Sequence, residues 1–385
     1  DVSSDFDVSS DTDATRVNSD GLIEDIDANQ PRIDYTGGVG HILLEPARTN
    51  EIINSNTSDF GVTRGTRGVL ETKLGIIEGY KYSNSSSSPA ITKNYTENTL
   101  GYKTLSLYFD ATNSDYCKIH LASGGNAGAG ASVLFTPSTQ TFGAITENAT
   151  YVRNSSANYE SLGNNIYRVM LTTEFTSYLN TETFPVIYFG NNSNVWIGGV
   201  QVEIGSYATS YIPTSGTTVT RDAEIISGSG NDTLINSEEG VLYCEIAAAN
   251  DDQRDTQTSI SISDGGTSNR VMIYFGLSGD DIKFQVKDGG SSTYSKDTDL
   301  SSIGTTPTAF NKVAFKWEED NIKTYINGDK YDEELSWTTF SADTLNQVGF
   351  TIGSTGSGNA WAGKTKCLAV FDEGLEDDEL EALTS

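Results

Sequence analysis

The segment NKVAFKWEEDNIKTYINGDKY, residues 311–331, carries the pattern that decides the fold. Apolar and polar side chains alternate along NKVAFKW and again along NIKTYI, which predicts two strands joined by a turn at WEED. Asn327-Gly328 then predicts a type I′ turn into a third strand, because both central residues of that turn take a positive φ. The segment therefore indicates an antiparallel meander without helix.

The same period-2 pattern recurs along most of the chain. Leu105, Leu107 and Phe109 alternate in KTLSLYFDA, and Gly/Asn/Ser-rich loops separate further runs of this kind. The final GLEDDELEALTS is different: its acidic opening favours a helix N-terminus, and Leu380 and Leu383 fall on one helical face. We therefore predict an all-β protein with two tandem β-sandwich (jelly-roll) domains and one short C-terminal helix.

The polar and apolar segments predict where the domains divide. Residues 1–50 contain few apolar residues, which predicts an extended N-terminal lead-in that docks on a neighbouring domain or subunit. Residues 51–213 predict a first jelly roll, the Gly/Thr/Ser-rich residues 214–224 a linker, and residues 225–385 a second jelly roll.

The net charge of -29 limits the partners. So acidic a surface repels nucleic-acid phosphates and anionic lipids, so we expect neither nucleic-acid binding nor membrane insertion. It also attracts divalent cations, and Ca²⁺ is the one cofactor that oxygen-rich loops here could hold, with Asp264, Asp280 and Asp281 as candidate ligands. The alternative interpretation of the charge is solubility alone.

The three cysteines lie far apart in the sequence, and none has the spacing of a zinc site. Cys117, Cys244 and Cys367 each stand in a strand-like run, where a free cysteine behaves as a small buried apolar residue. A single disulfide remains an alternative.

The C-terminal half resembles a known family. Residues 311–331, followed by FTIGSTGSGNAWAGKTKCLAVFDEGLEDDELEAL (350–383), are similar to the concanavalin A-like lectin/glucanase superfamily of laminin-G and pentraxin type. The resemblance implies a jelly roll, but this fold hosts lectins, hydrolases, lyases and adhesion modules alike.

Two further segments resemble phage structural proteins. GYKTLSLYFDA (101–111), NNIYRVMLTTEF (164–175) and residues 195–224 are similar to the carbohydrate-binding-module-like jelly rolls of such proteins, and residues 14–50 resemble a lead-in of tail- or head-associated proteins. The resemblance implies a virion protein on the outer surface of head or tail: a tail fibre, head fibre or capsid decoration. It also implies other virion proteins as partners, a homotrimer, and host attachment through cell-surface polysaccharide.

Aromatic residues in polar surroundings are the candidates for glycan contact. Trp337, Trp361 and Trp196 could stack on pyranose rings, the alternative for each being a place in the core. Trp196 and the following Val200, Val202 and Ile204 predict a strand with one apolar face.

Catalysis is not predicted. The C-terminal domain lacks the Glu-x-Asp-x-x-Glu strand on which a glucanase of this fold carries its acid and nucleophile. Only two histidines occur, and His120 lies in YCKIHLAS facing away from Ile119 and Leu121. The sequence thus favours a non-catalytic attachment protein, with a phage polysaccharide depolymerase (lyase or glycosidase) and a secreted bacterial lectin or adhesin as alternatives.

Overall fold

A computed structural model describes residues 6–84, 88–190, 194–250, 258–276, 280–351 and 361–385. The first half of the strands, in chain order, are β1 (Asp7–Ser9), β2 (Ala14–Val17), β3 (Ile23–Ile26), β4 (Ile33–Asp34), β5 (His41–Leu44), β6 (Arg48–Asn50), β7 (Gly61–Thr63), β8 (Gly65–Lys73), β9 (Ile77–Asn84), β10 (Ala90–Thr92), β11 (Tyr95–Thr96), β12 (Gly101–Asp110), β13 (Cys117–Ser123), β14 (Gly130–Thr136), β15 (Thr141–Phe142) and β16 (Thr146–Glu147).

The second half are β17 (Val152–Ser161), β18 (Ile166–Phe175), β19 (Glu182–Phe189), β20 (Val195–Ile204), β21 (Val219–Arg221), β22 (Ile225–Ser227), β23 (Gly240–Ala248), β24 (Thr258–Ser263), β25 (Arg270–Phe275), β26 (Asp281–Asp288), β27 (Ser291–Asp299), β28 (Asn311–Trp317), β29 (Ile322–Ile326), β30 (Asp329–Glu334), β31 (Gln347–Gly349) and β32 (Gly363–Phe371). Among the described residues one α-helix, α1 (Asp377–Thr384), follows, and single 3₁₀ turns occur at Ala111–Asn113 and Ser301–Ile303. The predicted all-β fold class with a short C-terminal helix is confirmed.

The chain forms two compact units. The middle unit holds Ala14–Asp25 and Arg48–Arg221, and the C-terminal unit holds Ile26–Ala47, Asp222–Ser385 and the described part of Asp1–Asp13. This differs from the predicted division, because the lead-in is shared between the two units and the boundary falls within the predicted linker. In that linker, β21 pairs with β6 and is part of the middle unit.

The middle unit is a sandwich of two antiparallel sheets. One has the order β15-β14-β13-β19-β10-β7, with β11 on β19 and β16 on β14, and the other the order β17-β18-β12-β20-β9-β8. The inward side chains of both sheets share one core, which includes the alternating Leu105, Leu107 and Phe109. The period-2 prediction for this strand is therefore confirmed.

β20 departs from the prediction because of a bulge. Gly199 takes φ 55°, and the register with β12 shifts at this level. As a result Trp196 packs on the opposite side of the sheet from Val200 and Val202, which lie in the core between the two sheets. The four side chains do not form the single face that a regular strand would give, and Ile204 is exposed.

The C-terminal unit is a second sandwich, with sheets in the orders β30-β29-β28-β23-β32-β5-β4 and β27-β26-β25-β24-β31. Asn327 and Gly328 both have positive φ between β29 and β30, which confirms the predicted turn. Helix α1 begins with a capping box between Glu376 and Glu379. Leu380 and Leu383 both pack against the seven-stranded sheet, as their spacing predicts.

Strands β4 and β5 show why the lead-in does not need to fold alone. β5 pairs with β32, and β4 extends the seven-stranded sheet beyond it. Behind them Arg32 is buried between two carboxylates, with Nη1 2.9 Å from Glu45 Oε2 and Nε on Glu224. The residues that looked too polar for a core therefore carry a buried ion cluster and two sheet strands.

Candidate functional site

The three tryptophans proposed from the sequence are all buried. The Nε1 group of Trp196 donates to the carbonyl of Glu71 at 3.1 Å, and that of Trp337 to Thr293 Oγ1 at 3.1 Å. Trp361 is 1% exposed and packs beside Phe275 at 5.6 Å between ring centroids. A stacking platform needs an exposed ring face, so the observed burial speaks against a binding role and supports the alternative of core positions.

The three proposed calcium ligands do not come together. Asp264 follows β24, beside the Arg270 end of β25, and accepts hydrogen bonds from Gly266 N at 2.7 Å and Asn269 Nδ2 at 2.8 Å. Asp280 and Asp281 lie at the other end of β25, where β26 begins. Across the described ranges no three His, Cys, Asp or Glu side chains are grouped to hold a metal ion.

Two of the three cysteines are buried as expected, whereas Cys367 is exposed, and all three are free thiols. Within the described ranges no helix has the length and apolarity that crossing a bilayer requires.

A different site lies on the eight-stranded sheet of the middle unit. In β13 the side chains of Ile119 and Leu121 enter the core, so Lys118 and His120 point to the other side of the sheet, as the sequence predicted for His120. His120 is paired with Ser132 on β14 and with Val186 on β19. Directly paired residues share a face with Cβ atoms about 5 Å apart, so these three side chains form one row.

Two aromatic rings flank this row on β19. Ile187 and Phe189 belong to the core, so the alternate residues Phe184 and Tyr188 lie on the side of His120. Each is the diagonal neighbour of His120, about 7–8 Å away for such positions. Both are half-buried. We call Lys118, His120, Ser132, Phe184 and Tyr188 the outer-face site.

A cleft of about 460 Å³ opens beside His120 and Ser132. Its walls are formed by two segments, residues 127–130 and 146–150. Asn148 fastens them together, because its Nδ2 donates to the carbonyl of Gly128 at 2.6 Å and its backbone N donates to Gly130 at 3.0 Å. The volume falls within the range of small-molecule sites, roughly 300–1,000 Å³.

Gly130 lets the cleft floor close against β13. A Cβ at this position would lie 2.2 Å from the carbonyl oxygen of Leu121, so any other residue would push β14 away. The neighbouring Glu147 directs its carboxylate elsewhere: Oε1 accepts from the backbone N of Ser155, on the strand β17 of the other sheet, at 2.6 Å.

His120 is the unusual group of the site. It is 8% exposed, lines the cleft, and finds no hydrogen-bond partner among the residues that the structure describes. Burial, and secondly the positive charge of Lys118, lower the pKa of His120 to about 4. The imidazole is therefore neutral near pH 7, with one nitrogen that donates and one that accepts. Both nitrogens are available to the hydroxyl groups of a ligand that enters the cleft.

The arrangement can bind polyhydroxylated molecules. A neutral imidazole and the Ser132 hydroxyl can exchange hydrogen bonds with vicinal hydroxyl groups, and the rings of Phe184 and Tyr188 can pack on the apolar face of a sugar. Sequence reasoning missed both rings, because FPVIYFG is apolar on both faces. One signal was available: Phe184 and Tyr188 are each two residues from Val186 and therefore lie on the same face of β19. Val186 pairs with His120, so this is the face on which the histidine lies.

A family model described as the concanavalin A-like lectin/glucanases superfamily matches residues 245–381, about a third of the chain. Residues 245–381 are a concanavalin A-like domain. The match confirms the resemblance of the C-terminal half. The strands of this concanavalin A-like domain form the five-stranded sheet and most of the seven-stranded sheet of the C-terminal unit, and the lead-in strands β4 and β5 extend the seven-stranded sheet. No match was found among curated proteins.

Solved structures that are similar to parts of this chain include a sialidase CBM40 domain, a pentraxin and a pair of laminin domains. The CBM40 domain of the Ruminococcus gnavus IT-sialidase, bound to α2,3-sialyllactose, is 20% identical with a TM-score of 0.33, over 41% of this chain and 94% of that one. A SAP-like pentraxin of Limulus polyphemus is 16% identical with a TM-score of 0.33, over 40% and 72%. Domains LG4-5 of the mouse laminin α1 chain are 9% identical with a TM-score of 0.27, over 74% and 88%. At these values the similarity carries no statement about function.

Proposed function

We propose that this protein is a non-catalytic glycan-binding protein that attaches a phage particle to surface polysaccharide, with the outer-face site as its glycan-binding site. The observation that carries the proposal is the buried His120, whose imidazole lines a cleft without a protein partner among the described residues and stands diagonally across from two half-buried aromatic residues of the neighbouring strand. Polar groups that fix orientation beside aromatic rings are the usual composition of a sugar site. The lectin/glucanase family of the C-terminal domain is compatible with this role.

The glycan-binding part is tested on the full chain with an array of bacterial and algal polysaccharide fragments. We expect Tyr188→Ala and His120→Ala to weaken binding at least tenfold, because each removes a contact that no neighbour replaces. The matched control is Tyr102→Ala: Tyr102 is also half-buried, but it lies on β12 in the six-stranded sheet. Equal binding by wild type, Tyr188→Ala and His120→Ala would refute the site.

The virion part rests on the resemblance of residues 14–50 and 195–224 to phage structural proteins. It includes a place on the particle exterior, contacts with other virion proteins and a homotrimer. Immunogold labelling of phage particles from the source, with antibodies raised against this chain, tests the place. Light scattering tests the trimer, and a monomeric mass would refute it. A protein found free in the medium and absent from particles would instead support a secreted lectin or adhesin.

The non-catalytic part is tested by incubating the protein with the polysaccharides it binds. Constant reducing-end and unsaturated-uronate signals are expected, because the structure groups no acid–base pair at the described outer-face site: the carboxylate of Glu147 is held by Ser155 on the other sheet. A rise in either signal that His120→Ala abolishes would identify a depolymerase.

A further inference from the structure

Lys118 is exceptional in a protein with 53 acidic and 24 basic residues. Elsewhere in the middle unit lysines are matched with carboxylates: Lys73 with Asp110, and Lys81 with Glu71. Lys118 has no carboxylate partner among the residues that the structure describes, and its Nζ lies 5.8 Å from the ring centroid of Tyr188. Lys93 and Lys103 are likewise paired, with Asp59 and Glu97, so Lys118 is the one lysine of the middle unit without a carboxylate partner among the described residues, and it lies at the candidate binding site.

The position of Lys118 within the outer-face site is defined by the sheet. It precedes His120 by two residues on β13, a spacing of about 7 Å along one face of a strand. It pairs directly with Tyr188 on β19 and with Leu134 on β14. The cation, the Tyr188 ring and the imidazole therefore stand side by side, and a sugar packed on Tyr188 would place its ring substituents within reach of both nitrogen-bearing groups.

Lys118 is the charged group that acts on His120. The charge of Lys118 is felt at the neighbouring imidazole, since it is the second cause of the lowered pKa of His120. The nearest acidic residue of the cleft, Glu147, turns its carboxylate to Ser155 on the other sheet. No carboxylate is among the groups that shift the pKa of His120, so a ligand anion could pair with Lys118, and an ammonium–carboxylate contact is one of the stronger hydrogen bonds available.

We propose that the glycan bound at the outer-face site carries a carboxylate or sulfate group, which Lys118 holds while the sugar ring packs on Tyr188 and His120 binds its hydroxyls. The inference rests on the proposed function of the same site. It names the substrate class: an acidic polysaccharide, made of uronate or sulfated sugars. Sequence-wide charge alone would argue the opposite, because a net charge of -29 repels polyanions at long range.

The test uses matched pairs of ligands on the full-length protein. Polyuronate oligosaccharides are compared with their carboxyl-reduced forms, and sulfated oligosaccharides with their desulfated forms, by calorimetry or biolayer interferometry. Wild type is expected to bind the acidic member at least about tenfold more tightly. Lys118→Met is expected to remove that preference and to leave binding of the neutral member unchanged.

Lys287→Met is the matched control, because it changes the net charge equally but lies on β26 in the C-terminal unit. It should retain the preference for the acidic ligand. Equal binding of acidic and neutral members by wild type, with Tyr188→Ala weakening both, would overturn the inference while the proposed glycan site stands. If wild type binds no member, or Tyr188→Ala changes nothing, the proposed function fails and the inference with it.

Discussion

The buried imidazole of His120 makes the stability of the middle unit depend on pH in one direction. In the folded chain its pKa is about 4, whereas a solvated histidine has a pKa of about 6.5. Between these values the unfolded chain binds a proton that the folded chain excludes, so the free energy of unfolding falls as the pH falls through this window. Integrated from pH 7 to pH 4.5, this single group removes about 2 kcal/mol of stability.

His120→Gln removes the titration and keeps a neutral polar side chain. Hydrogen exchange detected by mass spectrometry, at pH 7 and pH 4.5, gives the opening free energy of the amides in β13 and β18. Wild type should lose about 2 kcal/mol more than the variant on acidification. His41→Gln is the control, because His41 is the buried histidine of the other unit. An equal loss in wild type and His120→Gln would show that the imidazole is solvated in the fold, which would refute the reasoning.

Three further outcomes follow from the buried groups. Arg32→Met leaves Glu45 and Glu224 buried without their cation and should destabilise the C-terminal unit by about 3–5 kcal/mol in calorimetry; a loss below about 1 kcal/mol would mean that the cluster is hydrated. Trp361→Ala should cost about 3–5 kcal/mol as a core truncation, and it should leave glycan affinity of the folded protein intact; loss of affinity at unchanged stability would restore the predicted binding role. Calcium at a hundred times its Kd would add about 2.7 kcal/mol of stability if a site existed; we expect identical melting temperatures in calcium and EDTA, because the predicted ligands lie at opposite ends of β25.

Local patterns predicted the elements well. Leu105 and its alternating neighbours are core residues of β12. Asn327-Gly328 forms the predicted hairpin turn between β29 and β30. Leu380 packs from a helix with the expected acidic first turn. These features depend only on residues near in sequence, where the two- and 3.6-residue periods operate.

Features that depend on distant residues could not be predicted. Nothing in HILL (41–44) indicates that it pairs with β32, because pairing over that separation leaves no trace in local periodicity. Gly199 looked like an ordinary strand glycine, yet its bulge moves Trp196 to the opposite side of the sheet from Val200. The polar sequence around Trp337 and Trp361 favours exposure, but a large aromatic residue in polar sequence can still be buried, as both are here.

The outer-face site shows the same division. The direction of His120 follows from strand alternation, and the sequence predicted it. That Tyr188 and Lys118 lie beside one another depends on the pairing of β13 with β19, strands more than sixty residues apart. The local pattern of either strand does not specify which strand it pairs with, so this contact could not be predicted from the sequence.

The pairing of β5 with β32 determines the order in which the two sandwiches can fold during synthesis. Residues 41–44 leave the ribosome well before their partners, residues 363–365, which are about 320 residues further along the chain. Until then only β4 can pair with β5, and the other edge of this apolar strand stays unpaired, which is the kind of edge that aggregates or recruits a chaperone. The middle unit can complete its two larger sheets from residues 61–204 in the meantime. The C-terminal sandwich is therefore completed after the middle one. A nascent chain that stalls before residue 363 would carry a folded middle sandwich and an unpaired edge of β5 that can bind other chains.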